Sequence, residues 1–277
     1  MLDCQPLRQT PIPFVTPVKT FVGILVAFWL CNTIACAETL ELSANRDTTI
    51  FADDPNASDG AGPVVFAGRT NRGGGSLRRA LIHFDLSSLH AGSTITSVSL
   101  VLSVTRDPGT PPAPGTLRRI LSSWGEAGSF ATNGNGAPAQ TGDSTWSHRF
   151  YGANGQTWAA AGGDLATTES ATALFGGAGT SVTFASTRQL VADVQGWIDA
   201  SATNQGWAVS GDELTVGSAT QFASRESSNA ALQPRLEISY TLPAIASDIP
   251  VFTPFAATVT VLALFGIGAR QLRRRRA

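Results

Sequence analysis

The sequence predicts an all-β protein: an antiparallel β-sandwich with one short helix, flanked by an N-terminal signal helix and a C-terminal transmembrane helix. Apolar and polar residues alternate through the middle of the chain, and clusters of Gly, Pro, Asn and Ser separate the alternating stretches. Many short strands with frequent turns are typical of sandwiches. Since an apolar run also stands near each end of the chain, we divide it into a signal peptide (1–37), a β domain (38–243) and a linker with a C-terminal tail (244–277).

The N-terminal segment has the order of parts found in a secretory signal peptide. Basic residues precede an apolar stretch at 21–30, and the small-residue sequence Ala35-Cys36-Ala37 follows it. This pattern predicts export and signal peptidase cleavage between Ala37 and Glu38. Two alternatives stay open: an uncleaved N-terminal anchor, for which the apolar stretch is short, and a lipid attached to Cys36.

The predicted mature protein is acidic and has no thiol. All three cysteines, Cys4, Cys31 and Cys36, precede Glu38, which excludes disulfides and cysteine metal ligands from the mature chain. Between Glu38 and Ser247 there are 12 arginines, no lysine and 18 acidic residues, which gives a formal charge of −6 with His neutral. Nucleic-acid-binding domains usually present a basic face, so this charge argues against a nucleic-acid partner.

Three stretches of the middle segment show the period of two that predicts half-buried strands. In the stretch around 80–85, His83 lies on the face opposite Ile82, and we expect it to be partly solvated. The residues predicted to face the core are Ala80, Ile82 and Phe84 in the first stretch, Val98, Leu100, Leu102 and Val104 in the second, and Leu236, Ile238, Tyr240 and Leu242 in the third.

One segment has helical spacing instead. Leu190, Val194 and Trp197 with Ile198 recur at the period of a helix. Ser186 or Thr187 is a suitable N-cap, and Asn204 and Gly206 end the pattern. We expect one short helix that packs against the sandwich.

The C-terminal tail combines a short motif, an apolar span and an arginine cluster. Ile249-Pro250 precedes an apolar run at 251–268, and Arg273, Arg274, Arg275 and Arg276 stand near the end. The run is long enough to cross a bilayer core as a helix, and the arginines favour a cytoplasmic C-terminus. A plain tail anchor is the main alternative, because four adjacent arginines fit a buried last helix poorly.

This order of parts resembles the C-terminal sorting signals of Gram-negative bacteria that exosortase-type membrane proteases recognise. The motif is closest to the variety that begins Ile-Pro-Thr-Leu, with Val251 and Phe252 in place of Thr and Leu. The resemblance implies an exosortase-type processing protease as a partner. It also implies a secreted or cell-surface protein of a Gram-negative bacterium that is anchored in the membrane at least transiently.

Several phrases spread over residues 48–242 together resemble the DNRLRE domain, which is related to the disaggregatase repeat. They are Thr49-Ile50-Phe51, Phe66-Ala67-Gly68-Arg69, Arg79 to Leu86, Ile95-Thr96-Ser97-Val98, Asn204-Gln205-Gly206-Trp207 and Phe222 to Glu226. The resemblance implies a jelly-roll-like sandwich of extracellular proteins, grouped with carbohydrate-binding modules. It therefore implies a polysaccharide or cell-surface glycan as the partner.

Aromatic residues in a polar loop region are the candidate glycan-binding residues. Trp146, Tyr151 and Trp158 lie among Gly, Ser and Asn residues, and aromatic faces stack on the apolar faces of sugars. Arg225 could bind an acidic sugar carboxylate. The alternatives are burial of the aromatic side chains and a structural hydrogen bond for Arg225. Trp124, Trp197 and Trp207 are expected in the core.

The loop at 53–60 is the candidate metal site. Asp53, Asp54, Asn56 and Asp59 cluster before Gly60, and Ca²⁺ prefers such hard oxygen ligands in irregular geometry. Asx turns explain the same composition, because Asp and Asn bind their own backbone in turns. Calcium is thus a possible cofactor rather than a firm one.

No catalytic constellation stands out in the sequence. His83, His90 and His148 are isolated, without metal-ligand spacing or a Gly-x-Ser-x-Gly motif. We therefore predict a non-enzymatic surface protein that binds glycan in the cell envelope or extracellular matrix. The alternatives are a structural surface protein without glycan affinity and a polysaccharide-degrading enzyme, for which the proximity of His148 and Tyr151 in the sequence is the only argument.

Overall fold

A computed structural model describes residues 37–72, 76–109 and 111–243. Within these ranges the protein is mostly β, with one α-helix and two short 3-10 helices. The predicted signal peptide before Ala37 and the predicted tail, including Ile249, Pro250 and the arginines at 273–276, lie outside the described residues. Among the residues that are described, no helix is long and apolar enough to span a membrane.

The strands are short apart from β6, which has 13 residues. The 3-10 helices are Ser201–Thr203 and Ala230–Leu232, and the α-helix α1 is Arg188–Asp199. The strands are β1 Ala37–Ser43, β2 Arg46–Phe51, β3 Ala57–Ser58, β4 Val64–Arg69, β5 Leu77–His83, β6 Thr94–Arg106, β7 Pro114–Arg119, β8 Ala137–Pro138, β9 His148–Phe150, β10 Gln156–Thr157, β11 Ala171–Leu174, β12 Ser181–Phe184, β13 Trp207–Ser210, β14 Thr220–Ala223 and β15 Arg235–Thr241.

Eleven of the described strands form one antiparallel sheet. Its order is β1-β15-β6-β14-β4-β5-β13-β7-β11, with β12 alongside β6 and β2 alongside β5. The first and last strands of the body pair with each other, from Ala37 opposite Thr241 to Ser43 opposite Arg235. The remaining strands form two small pairs, β3 with β8 and β9 with β10.

The sheet is curled around the main hydrophobic core. Leu100 on β6 and Val209 on β13 belong to the same buried cluster, although three strands separate β6 from β13 in the sheet order. A flat sheet would hold these strands far apart, since neighbouring strands lie about 4.8 Å from each other. The curled sheet confirms the predicted antiparallel all-β body.

The predicted alternation is confirmed on β15 and on β6 as far as Leu100, but Val101 and Ser103, expected on the opposite face, are buried as well. Val98, Leu100, Leu102 and Val104 are all buried, and so are Leu236, Ile238 and Tyr240. Leu242 differs from the prediction, because it lies beyond the end of β15 and is 43% exposed.

Strand β5 is buried on both faces, which the alternation did not predict. Ala80, Ile82 and Phe84 face the main core as expected, but Leu81 is also fully buried. It packs in a second, smaller core with Ile50, Trp124 and Trp158. His83, expected to be partly solvated, is only 9% exposed, since the same side of the sheet is covered.

Helix α1 forms where the sequence predicts it. Its N-cap is Thr187, whose hydroxyl accepts a hydrogen bond from the backbone N–H of Leu190 at 2.9 Å. Leu190, Val194 and Trp197 are buried in the main core, and the Trp197 ring lies 4.4 Å from that of Trp207. Trp124, Trp197 and Trp207 are each at most 2% exposed, as predicted.

Candidate functional site

The aromatic group, defined as Trp146, Tyr151 and Trp158, is mostly covered. Trp158 is 5% exposed, and its indole N–H donates to the carbonyl oxygen of Thr145 at 2.9 Å. Trp146 is half-buried against the second core, and the guanidinium of Arg79 lies 5.0 Å from its ring centroid. The geometry therefore favours a packing role for the two tryptophans over a free stacking surface.

Tyr151 is half-buried and lies edge-on to His148, with ring centroids 5.5 Å apart. The ring nitrogen Nδ1 of His148 is 3.2 Å from the hydroxyl of Thr145. The pair on which the enzyme alternative depends is thus close in space. In the part of the chain that the structure describes, no acidic side chain is hydrogen-bonded to either ring.

Arg225 is engaged by two glutamates. Its Nε and Nη2 atoms donate to the two carboxylate oxygens of Glu126 at 3.0 and 3.1 Å, and Nη2 lies 2.7 Å from Oε1 of Glu226. The adjacent Arg225 and Glu226 therefore do interact, although successive strand residues point to opposite faces, because both follow the end of β14 at Ala223. These contacts favour the structural alternative for Arg225.

The residues of the predicted calcium loop have separate partners. Asp53 forms two hydrogen bonds to Arg78, at 2.6 and 3.3 Å, and Asp54 accepts from the backbone N–H of Asn56 at 3.2 Å, as in an Asx turn. Asp59 is buried, and its Oδ1 accepts from the backbone N–H of Ala131 at 2.8 Å. Calcium binding by this loop stays a prediction.

A polar cleft lies where β4 and β6 end and β14 begins. Because β4 and β6 both run antiparallel to β14, their C-terminal ends meet at the same edge of the sheet, beside the first residues of β14. The cleft has a volume of about 360 Å³, within the usual range for ligand pockets of about 300–1,000 Å³. The polar side chains that line it are those of Thr70, Asn71, Arg72, Arg106, Asp107, Asn133, Asn135 and Gln221.

The polar cleft combines amides with an excess of positive charge. Arg72 is 56% exposed and donates to the side-chain oxygen of Asn135 at 2.8 Å. Arg106 is exposed, and Asp107 is the one carboxylate among the lining residues that are described. Nε of Arg72 also lies 3.8 Å from Oδ2 of Asp53, which is shared with the buried Arg78. Three guanidinium groups against two carboxylates leave a formal charge of +1, in a module whose overall charge is negative. The cleft is therefore suited to a polar or anionic ligand.

A second group of functional side chains is the carboxylate cluster, defined as Asp47, Glu126 and Glu226. One oxygen of each side chain lies within 4.8 Å of the others. Asp47 is on β2, Glu126 follows β7 and Glu226 follows β14. Sequence reasoning did not find this cluster, because Asp47 and Glu126 are 79 residues apart and no local motif connects them.

Burial and mutual repulsion favour the protonated forms of the carboxyl groups in the carboxylate cluster. Burial raises the pKa of Asp47 well above its usual range, and the nearby Glu226 adds to this. Burial also raises the pKa values of Glu126 and Glu226, although Arg225 opposes the shift in both. The neighbouring Asp59 has its pKa raised to about 7, first by burial and then by the charges of Glu226 and Asp143.

Comparison with known proteins adds no assignment. The sequence matches no family model, and no curated protein is significantly similar to it. The functional argument therefore depends on the residues and their geometry.

Proposed function

We propose that this chain is a non-enzymatic, exported β-sandwich protein that binds polysaccharide in the cell envelope or extracellular matrix. In this proposal the fold is the jelly-roll-like sandwich of the DNRLRE domain. The N-terminal signal directs export, and the C-terminal tail holds the protein in the membrane until an exosortase-type protease acts. The antiparallel all-β body with one helix supports the proposal at the level of architecture.

The observation that carries the proposal is the chemistry of the polar cleft. Sugar hydroxyls both donate and accept hydrogen bonds, and the amides of Asn71, Asn133 and Gln221 offer both functions in a fixed plane. A concave site with a few polar groups that converge on it is the usual form of a small-ligand site. The cleft is thus better placed to hold a sugar than the aromatic group, whose rings are largely covered.

The charge of the polar cleft selects the class of polysaccharide. Arg72 and Arg106 can each donate two parallel hydrogen bonds to a carboxylate. Asp107 balances one of these charges, and Asp53 balances the other only in part, because it is shared with Arg78. We therefore propose that the ligand carries acidic sugars, and that neutral polysaccharides bind more weakly.

Binding of the purified protein to a panel of neutral and acidic polysaccharides tests the proposal. Arg106→Ala and Asn71→Ala change exposed residues and should leave the fold intact. We expect each to lower the affinity for an acidic polysaccharide about tenfold, since a hydrogen bond to a charged group contributes about 1.5–3 kcal/mol. Arg188→Ala, at an exposed position on α1, is the matched control for charge and should bind as the wild type does.

Two results would contradict the proposal. Binding that survives both cleft variants but is lost in Tyr151→Ala would assign the ligand to the aromatic group instead. Failure of the folded wild type to bind any member of the panel would favour the structural surface protein without glycan affinity.

A further inference from the structure

The carboxylate cluster contains buried oxygens that the protein does not satisfy. Asp47 is 0% exposed; its Oδ2 accepts from the backbone N–H of Arg225 at 2.7 Å, but its Oδ1 has no donor among the described residues. Neither carboxylate oxygen of Glu226 has a hydrogen-bond donor in the same ranges. Oε1 of Glu226 is 2.7 Å from Nη2 of Arg225, which makes an ion pair without hydrogen-bond alignment. An unsatisfied buried carboxylate oxygen is costly, so these atoms need a partner.

Glu126 keeps capacity for one more partner. Its Oε1 accepts from the backbone N–H of Asp47 at 2.9 Å and from Arg225 at 3.0 Å, and its Oε2 accepts once from Arg225 at 3.1 Å. A carboxylate has about four lone-pair sites, so Oε2 can accept one further contact. Each member of the cluster therefore offers an oxygen.

The charges around the cluster do not balance. Asp59 is a fourth carboxylate close enough to interact with the charge of Glu226. The cations near the cluster are Arg46 and Arg225. Asp143 adds a further negative charge beside Asp59. The carboxylates therefore outnumber the two guanidinium groups when all are ionised, and a divalent cation would offset this excess.

We propose that Asp47, Glu126 and Glu226 bind one divalent cation of the Ca²⁺ type, at a site separate from the loop at 53–60. Calcium binds oxygens at about 2.3–2.6 Å, so opposite ligands lie about 5 Å apart, and the oxygens of the cluster lie within 4.8 Å of one another. The three side chains of this site are hard carboxylates, which is the ligand chemistry that Ca²⁺ prefers. Glu226 has the most exposed side chain of the three, at 19%, although its carboxylate oxygens are buried.

The site joins three distant parts of the chain. Asp47 lies on β2, Glu126 lies in the segment after β7, and Glu226 lies in the segment after β14. A bound cation would therefore stabilise the folded protein by mass action, because the unfolded chain does not bring these residues together.

Isothermal titration of the full-length chain in mild detergent, stripped of metal with EDTA, tests the site. We expect CaCl₂ to bind with a stoichiometry of one and to raise the melting temperature. Glu226→Gln and Asp47→Asn should each weaken Ca²⁺ binding at least about 10- to 100-fold, since that is the cost of changing a residue that only supports a metal ligand. MgCl₂ should bind more weakly, because Mg²⁺ demands octahedral geometry and keeps several waters.

Asp54→Asn is the matched control, since it removes one exposed carboxylate from the loop at 53–60 and should bind Ca²⁺ as the wild type does. Glu226 is partly exposed, so Glu226→Gln tests the site even if Asp47→Asn fails to fold. The proposal is overturned if the folded wild type binds no Ca²⁺, in which case Asp47 and Glu226 share a proton. It is also overturned if Asp54→Asn abolishes binding while Glu226→Gln retains it.

Discussion

Two adjacent aspartates, Asp53 and Asp54, should differ sharply in their contribution to stability. Asp53 forms hydrogen bonds of 2.6 and 3.3 Å to Arg78, whose side chain is 0% exposed. Asp54 is exposed and accepts one hydrogen bond from the backbone of Asn56. Asp53→Ala would leave a buried guanidinium without its counter-charge, whereas Asp54→Ala would remove only a turn contact.

The size of the destabilisation in Asp53→Ala depends on the contacts that Arg78 keeps in the variant. Removing one partner of a buried ion pair costs about 3–5 kcal/mol. Arg78 keeps hydrogen bonds to the carbonyl oxygens of Gly134 and Leu77 and its contact with the Phe51 ring, which places the cost near 3 kcal/mol, the lower end of that range. For a domain of this size 1 kcal/mol shifts the melting temperature by about 2–4 °C, so we expect a decrease of about 6–12 °C.

Thermal unfolding followed by tryptophan fluorescence is the assay. Asp54→Ala is the control and should stay within about 0.5 kcal/mol of the wild type. Replacing the pair together, as Asp53→Ala with Arg78→Met, should recover most of the loss, because no buried charge is left unpaired. The reasoning is refuted if Asp53→Ala is as stable as Asp54→Ala. If EDTA lowers the melting temperature of the wild type but not that of Asp54→Ala, the loop binds calcium as the sequence suggested.

Three further predictions concern buried polar groups. Burial, then the charge of Arg46, lowers the pKa of His83 to about 4, so as the pH falls the unfolded chain takes up a proton before the folded protein does. The free energy of unfolding should therefore decrease by at most about 3 kcal/mol between pH 6.5 and pH 4. His83→Gln should reduce this dependence of the melting temperature on pH. Trp158→Phe loses the hydrogen bond to Thr145 and should cost about 1 kcal/mol in urea unfolding, with glycan affinity unchanged; weaker binding by the folded variant would contradict the assignment to the polar cleft. Asp193→Ala leaves the buried indole N–H of Trp207 unpaired and should cost about 1–3 kcal/mol; a cost well below 1 kcal/mol in the same assay would show that water replaces the carboxylate.

Local patterns were sufficient to predict the regular elements. The alternation in β15 is regular because its two faces differ in burial along the whole strand, and the cap at Thr187 lies three residues from the N–H that it binds. The second core was not predictable, because Leu81 is covered by Trp124 and Trp158. These two residues lie in a distant segment with little regular structure.

The candidate sites were less predictable for the same reason. The loop at 53–60 and the aromatic group were selected because their members are close in sequence, yet Asp53 binds Arg78 and Trp158 packs in a core. The carboxylate cluster depends on strand pairing: Asp47 and Arg225 are 178 residues apart, and no spacing rule connects them. Glu226 follows Arg225 in the sequence, and this pair was the one available signal.

The pairing of β1 with β15 determines how the body responds to mechanical load. Ala37 lies opposite Thr241, so both ends of the body leave it at the same corner. A force that pulled these ends apart would break the β1–β15 ladder one pair at a time, as a zipper opens, at low force. A force between the tail and a ligand held elsewhere would instead run along β15, and its hydrogen bonds to β1 and β6 would resist together in shear. If the tail anchors the protein in a membrane as proposed, tension on a bound ligand would therefore load these hydrogen bonds in shear, the direction in which the ladder resists more strongly.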